Sequence, residues 1–86
     1  MKKEYTVKDP VGLHARPASV LVQKASTYKN EIFIEFNDKL ITLKSIIAVM
    51  SLGIPFNSNF KIVVEGENQE SVLNEIEEVM KKEGLI

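Results

Sequence analysis

The sequence predicts an α+β fold in which helices cover one face of a sheet whose other face meets solvent. Two long helical segments each carry one apolar face, and four short segments alternate apolar and polar residues as half-buried strands do. The segments follow the order β-α-β-β-α-β-α. Elements with one apolar face must bury it against another layer, so we expect the helices to stack on one side of the sheet.

Length, charge and composition exclude several classes of function. The 86 residues are expected to form one domain, residues 1–86, and their net charge of −1 lacks the basic surplus that nucleic-acid binding requires. The chain has no cysteine, which excludes disulfides and thiolate zinc sites, and no apolar run long enough to span a membrane. The polar N-terminus is unlike a signal peptide. We therefore expect a protein that neither binds nucleic acid nor inserts into a membrane. The lack of cysteine is compatible with a reducing cytoplasm, where we expect the protein to act, as a monomer.

The first strand and the first helix flank a turn. Glu4–Lys8 alternates and predicts a strand, and Asp9–Gly12 contains the Pro and Gly typical of a turn. Pro17 suits a first helical turn, where its missing N–H costs nothing. The helix that follows has one buried face, formed by Ala18, Leu21, Val22 and Ala25.

A hairpin and a short helix come next. Glu31–Phe36 and Lys39–Leu43 are predicted strands, joined through Asn37-Asp38, which tolerates the positive φ of a tight turn. The pattern leaves open which face of the second of these strands is buried. Lys44–Gly53 predicts a helix of about two turns with Ser45 as its N-cap.

This short helix is apolar almost all round. Two turns cannot bury every apolar side chain against one sheet, so part of the surface should remain exposed. Ile47 and Met50 are the candidates for a docking patch, which we expect to lie beside the turn that precedes the first helix.

The last strand and the last helix close the predicted fold. Phe60–Glu65 alternates as a strand. Asn68 is expected to cap the final helix and Gly84 to terminate it. The apolar stripe of this helix comprises Val72, Leu73, Ile76, Val79 and Met80.

His14 and Arg16 are the candidate chemical groups of the chain. Each is the only residue of its type, and both lie where a turn gives way to a helix. The unperturbed pKa of histidine lies near neutral, so the imidazole can act as a nucleophile without special activation. Arginine and the unpaired N–H groups of a helix start both bind anions. These features favour a histidine to which a phosphoryl group is delivered.

Other roles for His14 are less well supported by the sequence. An isolated histidine is most often structural, but the turn, the helix start and the adjacent arginine count against that interpretation. A metal site lacks a second histidine or a cysteine, and a hydrolase triad lacks an assigned nucleophile and partner. We expect no metal and no cofactor.

Ser45 is a candidate for phosphorylation as well as an N-cap. A phosphate there would lie at a helix start, next to Lys44. It would also place about two negative charges beside the apolar docking patch. Such a charge could weaken the binding of one partner and favour another.

Two motifs resemble those of HPr, the histidine-containing phosphocarrier family of the bacterial phosphoenolpyruvate-dependent sugar phosphotransferase system. Gly12–Ala18 is similar to the family's active-site signature. Leu43–Ile46 together with Val49–Gly53 is similar to its regulatory serine signature. The spacing of the motifs and the order of the elements also match, over essentially the whole chain.

The resemblance implies a fold, a reaction and a set of partners. The fold is an open-faced β-sandwich, a four-stranded antiparallel sheet under three helices. Enzyme I, charged by phosphoenolpyruvate, would phosphorylate His14 on Nδ1 with help from Arg16, and the phosphoryl group would pass to IIA components of sugar permeases. The protein would thus be a carrier, not an enzyme. In many Gram-positive relatives a kinase/phosphorylase phosphorylates the serine matching Ser45. The phosphoserine form then acts as corepressor for a catabolite-control repressor.

The docking surface is expected to comprise Ala15, Val20, Lys44, Ile46, Ile47 and Met50. Ile47 and Ala48 differ from the residues frequent in the family, and Pro55–Ser58 replaces a commoner glycine-containing loop. None of these departures touches His14 or Arg16, and those at Ile47 and Ala48 leave the docking patch apolar but reshape it. Two alternatives therefore stay open: a regulatory paralogue that acts mainly by binding, and an interaction domain with a vestigial motif, which the presence of His14 disfavours.

Overall fold

The computed structural model describes residues 1–86 and confirms the predicted α+β class and order of elements. The elements are β1 (Lys2–Thr6), α1 (Ala15–Ala25), β2 (Ile32–Phe36), β3 (Lys39–Thr42), α2 (Ile46–Met50), β4 (Asn59–Val64) and α3 (Gln69–Lys82). The sheet has the strand order β1-β4-β2-β3, with every pair antiparallel. No helix is both long enough and apolar enough to cross a membrane.

One apolar core lies between the sheet and the three helices. The helices contribute the stripes predicted for α1 and α3, whose central residues, among them Leu21 and Ile76, are fully buried. The cross-strand pairs Ile34–Ile41 and Ile34–Ile62 settle the open question about β3. Ile41 packs against the core, whereas Leu40 lies on the solvent face.

The first strand begins and ends earlier than its alternation predicts. Lys2 and Lys3 are exposed and carry no apolar signal, yet they pair with Val63 and Ile62 of β4. The predicted end at Lys8 is wrong because the Lys8 N–H donates to Leu85 O at 2.7 Å instead of to a strand. Backbone pairing, which does not depend on side chains, therefore decides both ends of β1.

One predicted helix cap is confirmed and one is wrong. The Ser45 hydroxyl accepts a hydrogen bond from the Ala48 N–H at 3.2 Å, as an N-cap should. Asn68 precedes α3 but adopts a left-handed backbone, φ 57°, and its side chain makes no capping hydrogen bond. An N-cap residue needs extended backbone for its side chain to reach the first turn.

A polar cluster at the edge of the core joins β1 to α3. Lys3 Nζ and the Tyr5 hydroxyl donate to the Glu77 carboxylate at 2.6 and 2.9 Å. These hydrogen bonds, that of Lys3 first, lower the pKa of Glu77 from 4.5 to about 2. Lys81 approaches the same carboxylate at 3.3 Å.

We expect Glu77→Gln to lower the free energy of unfolding at neutral pH by about 1 kcal/mol, because hydrogen bonds to a charged group are lost. The Glu77 pKa is depressed on folding, so its contribution is present above about pH 4.5 and is lost as the pH falls towards 2. The difference between wild type and variant in urea unfolding should therefore shrink over that range. Glu78→Gln is the control, since that side chain is 74% exposed; an equal effect of both substitutions would contradict the assignment.

Candidate functional site

The turn before α1 is tied down by backbone hydrogen bonds at both ends. Lys8 is held by Leu85 as described, and the Gly12 N–H donates to Asp9 O at 2.9 Å. The buried Leu13 donates its N–H to Ile54 O at 2.9 Å. Gly12 has φ 82° and lies against the backbone of Ile54 and Pro55, an approach that leaves no room for a side chain. These contacts therefore fix the position of the backbone that leads into His14.

His14 is the N-cap residue of α1. Its backbone is extended, with φ −92° and ψ −177°, but its side chain makes no capping hydrogen bond. The imidazole is 33% exposed, and Nε2 lies 3.0 Å from Asp9 Oδ2. Nδ1 has no hydrogen-bond partner in the protein. One ring nitrogen is thus engaged and the other is free.

Asp9 is a further residue of the site, although the sequence pattern indicates only that it lies in a turn. Its side chain is 15% exposed, and Oδ1 accepts the Val11 N–H at 2.9 Å. The Val11 hydrogen bond, with a smaller contribution from His14, holds the pKa of the Asp9 carboxyl below its ordinary value. The available signal was an acidic residue opening a turn five positions before the histidine.

The first turn of α1 presents unpaired donors next to His14. The N–H groups of Ala15 and Arg16 have no acceptor, and Pro17 has no N–H. The Arg16 side chain is exposed and forms no ion pair, and no acidic residue lies in this turn. These donors and the helix dipole favour an anion at this position.

The apolar surface of α2 is exposed as the sequence predicts. Ile47 is 81% exposed, and Ile46 and Met50 are also exposed, while Val49 alone in the helix is buried. Lys44 contributes to packing as well, because its Nζ donates to Tyr28 O at 2.8 Å. Of the remaining residues expected to dock partners, Ala15 is exposed and Val20 is partly exposed.

Helix α2 packs against α1 and runs in the opposite direction. Lys44, before α2, bonds to Tyr28 beyond the end of α1, whereas Ile54, after α2, bonds to Leu13 before its start. The end of α2 near Met50 is therefore directed towards the His14 turn. Ser45 lies at the other end of the helix, so it is not in the immediate surroundings of His14.

The site is open. None of the three surface depressions of the chain is lined by His14 or Arg16. No three His, Cys, Asp or Glu side chains converge on a common point. The arrangement offers a nucleophilic nitrogen and anion-binding donors, and leaves every other reacting group to be supplied from outside.

An open-faced sheet with one helical layer, and a histidine at the start of its first helix, define a small phosphocarrier domain. A family model described as the PTS HPr component phosphorylation site matches residues 1–82. The chain belongs to the HPr family. As a member it is a phosphotransfer intermediate, not an enzyme.

Solved structures similar to this chain include carriers and a regulatory relative. A Mycoplasma histidine-containing phosphocarrier protein is 37% identical, with a TM-score of 0.96, over 100% of this chain and 98% of that one. Phosphocarrier protein HPr from Bacillus anthracis is 37% identical, with a TM-score of 0.83, over 92% and 94%. The dimeric catabolite repression protein Crh of Bacillus subtilis is 27% identical, with a TM-score of 0.73, over 98% and 95%.

Proposed function

We propose that His14 accepts a phosphoryl group from phosphoenolpyruvate-charged enzyme I and passes it to IIA components of sugar permeases. The observation that carries this proposal is the unpartnered Nδ1 of His14, the residue directly before Ala15 and Arg16, whose N–H groups are also without acceptors. A phosphoryl group on Nδ1 would meet donors that no other part of the chain uses. Arg16 would neutralise part of its charge.

The transfer moves the phosphoryl group from one nitrogen to another. The Nδ1 lone pair forms a bond to phosphorus, and the bond between phosphorus and the donor's nitrogen breaks. The electron pair of the broken bond returns to the donor. In the second transfer the roles reverse, with a IIA nucleophile attacking the phosphorus and the pair returning to Nδ1. An N–P bond to imidazole is labile, which suits a group that must be handed on.

The partners would dock on a surface that extends from the His14 turn along α1 and α2. It comprises Ala15, Val20, Lys44, Ile46, Ile47 and Met50, and the open position of His14 allows a partner's active site to close over it. We infer a cytoplasmic protein that acts as a monomer. Size-exclusion chromatography with light scattering tests the latter, and a stable dimer, as in the Crh structure, would contradict it.

Incubation with enzyme I, phosphoenolpyruvate and Mg²⁺ tests the carrier function. The expected product is a protein that is heavier by one phosphoryl group, and this group should be lost in acid but not in base. Subsequent addition of a IIA component should discharge it. A protein that stays unmodified, or that gains an acid-stable phosphate, would refute the proposal.

We further propose that Ser45 is phosphorylated and that its charge controls docking. Its hydroxyl caps α2, so a phosphate there would sit at the start of that helix without breaking the fold. The charge would lie one turn or less from the exposed Ile47. Because Ser45 is not beside His14, the effect would act on partner binding instead of on the imidazole.

We expect Ser45→Asp to slow phosphoryl transfer from enzyme I at least about fivefold in kcat/KM, because the added charge must be desolvated at an apolar interface. Ser45→Asn is the matched control, since Asn and Asp cap helices equally well and differ in charge. Both variants should unfold at the same urea concentration. Equal transfer rates for the two variants would contradict the role of Ser45 in docking. If the protein from cells grown with abundant sugar carries no acid-stable phosphate, the proposed modification is refuted.

A regulatory module that works mainly by binding is the second candidate function. The exposed apolar surface of α2 beside Ser45 and the similarity to Crh favour it. The two candidates separate in one measurement. A regulatory module would bind a catabolite-control repressor in its Ser45-phosphorylated form and would carry no acid-labile phosphate, whereas a carrier must carry one.

A further inference from the structure

The carboxylate of Asp9 is held by two hydrogen bonds that use different oxygens. Oδ1 accepts the Val11 N–H at 2.9 Å, and Oδ2 faces His14 Nε2 at 3.0 Å. The side chain is 15% exposed, and the Asp9 carbonyl also accepts the Gly12 N–H. Asp9 therefore cannot turn away from the imidazole without losing its hydrogen bond with the Val11 N–H, one of the contacts within the turn that positions His14.

The contact with Asp9 bears on which nitrogen of the imidazole carries the proton. A carboxylate can only accept hydrogen bonds, so the group facing it must be a donor. In neutral histidine one ring nitrogen carries the proton and the other has a lone pair, and the hydrogen bond made by one decides the state of the other. With Nε2–H donated to Asp9, the lone pair is on Nδ1, the nitrogen without a partner.

We propose that Asp9 is a positioning residue that selects the Nε2–H tautomer of His14 and thereby makes Nδ1 the nucleophile for the phosphoryl group. The proposal rests on the phosphocarrier function stated above. Asp9 never touches phosphorus; it acts only through the ring of His14.

The same contact stabilises the ring during the transfer. When the Nδ1 lone pair bonds to phosphorus, the imidazole keeps its Nε2 proton and gains positive charge, while the donor nitrogen takes the pair of the broken bond. No proton has to leave His14. The negative charge of Asp9, 3.0 Å from Nε2, offsets the developing charge on the ring. With the opposite tautomer, Nδ1 would first have to lose its proton.

The substitution Asp9→Asn separates this role from a structural one. An amide has one oxygen and one NH₂ group. The Val11 N–H can only donate, so it takes the amide oxygen, and the NH₂ is left facing Nε2. His14 can adapt by moving its proton to Nδ1, which removes the nucleophilic lone pair. Asp9→Ala imposes neither tautomer but loses the Val11 contact.

The first test is the tautomer itself, read by ¹⁵N NMR of the ring above the titration range of histidine. His14 is the only histidine of the chain, so its ring signals need no further assignment. Wild type should show a protonated Nε2 and an unprotonated Nδ1. The ¹⁵N shifts of Asp9→Asn should move towards protonated Nδ1, and those of Asp9→Ala to a mixture. Unchanged shifts in both variants would overturn the proposal.

The second test is the rate of phosphorylation by phosphoramidate, a small donor that needs no docking surface. We expect about a tenfold loss for Asp9→Ala and a further severalfold loss for Asp9→Asn, as a charged hydrogen bond and the reactive tautomer are lost. A purely structural role predicts the reverse order, because Asn keeps the turn. Asp38→Asn, at the only other aspartate, is the control and should react as wild type.

The two tests also separate this proposal from the carrier function. If enzyme I fails to modify wild type, the carrier function is refuted, but the NMR shifts still decide the tautomer. If enzyme I modifies wild type and all Asp9 variants equally, the carrier function stands and the positioning role is refuted.

Discussion

His14→Ala and His14→Ser are both expected to accept no acid-labile phosphate, a complete loss of the carrier activity. His14 is the only imidazole in the chain, and the chain has no cysteine, so both substitutions remove the one side chain that can act as a nucleophile at neutral pH without special activation. Mass spectrometry after incubation with enzyme I and phosphoenolpyruvate measures the loss. Residual acid-labile phosphate in either variant would show that His14 is not the acceptor.

The same two variants should differ in stability. His14 occupies the N-cap of α1 with extended backbone but makes no side-chain cap. Serine can accept the free Arg16 N–H, whereas alanine cannot, so His14→Ser should unfold with a free energy about 1 kcal/mol above that of His14→Ala. Urea unfolding measures the difference. Equal stabilities would mean that the start of α1 does not retain its geometry when the imidazole is removed.

Gly12→Ala is expected to lower the free energy of unfolding by about 3 kcal/mol, through strain at positive φ together with a backbone clash. A Cβ at this position would lie 2.6 Å from Ile54 O and 3.1 Å from Pro55 Cα. Both atoms are backbone and cannot rotate away. The loop after α2 would have to move, and with it the carbonyl that accepts the Leu13 N–H.

Gly53→Ala is the matched control for this substitution. Gly53 also has positive φ, 58°, but a Cβ there meets nothing within 4 Å. Gly53→Ala should therefore lower the free energy of unfolding only through backbone strain, by about 1 kcal/mol. If both variants lost the same stability, the approach of Gly12 to Ile54 would not be a tight contact. Gly12→Ala should in addition slow phosphorylation by enzyme I, because His14 follows two residues later.

The pattern of apolar residues was sufficient to predict the class of fold. Helical and strand periodicities depend on which side chains face the core, and burial of those faces decides how the layers stack. The exact ends of the helices and strands were harder to predict from the sequence. Lys2 and Lys3 joined β1 through backbone hydrogen bonds, and Asn68 failed as a cap because its backbone is left-handed. The pattern of apolar and polar residues predicts neither effect.

The sequence by itself determined that His14, Arg16 and a helix start lie together, because residues this close along the chain cannot separate. It also determined that α2 must expose apolar surface. Only the tertiary structure decided that Asp9 turns back onto His14, that Lys44 bonds to Tyr28, and that Ser45 lies away from the imidazole. The physical reason is that these relations depend on how the turn closes and how α2 packs on α1, which the spacing of residues does not specify.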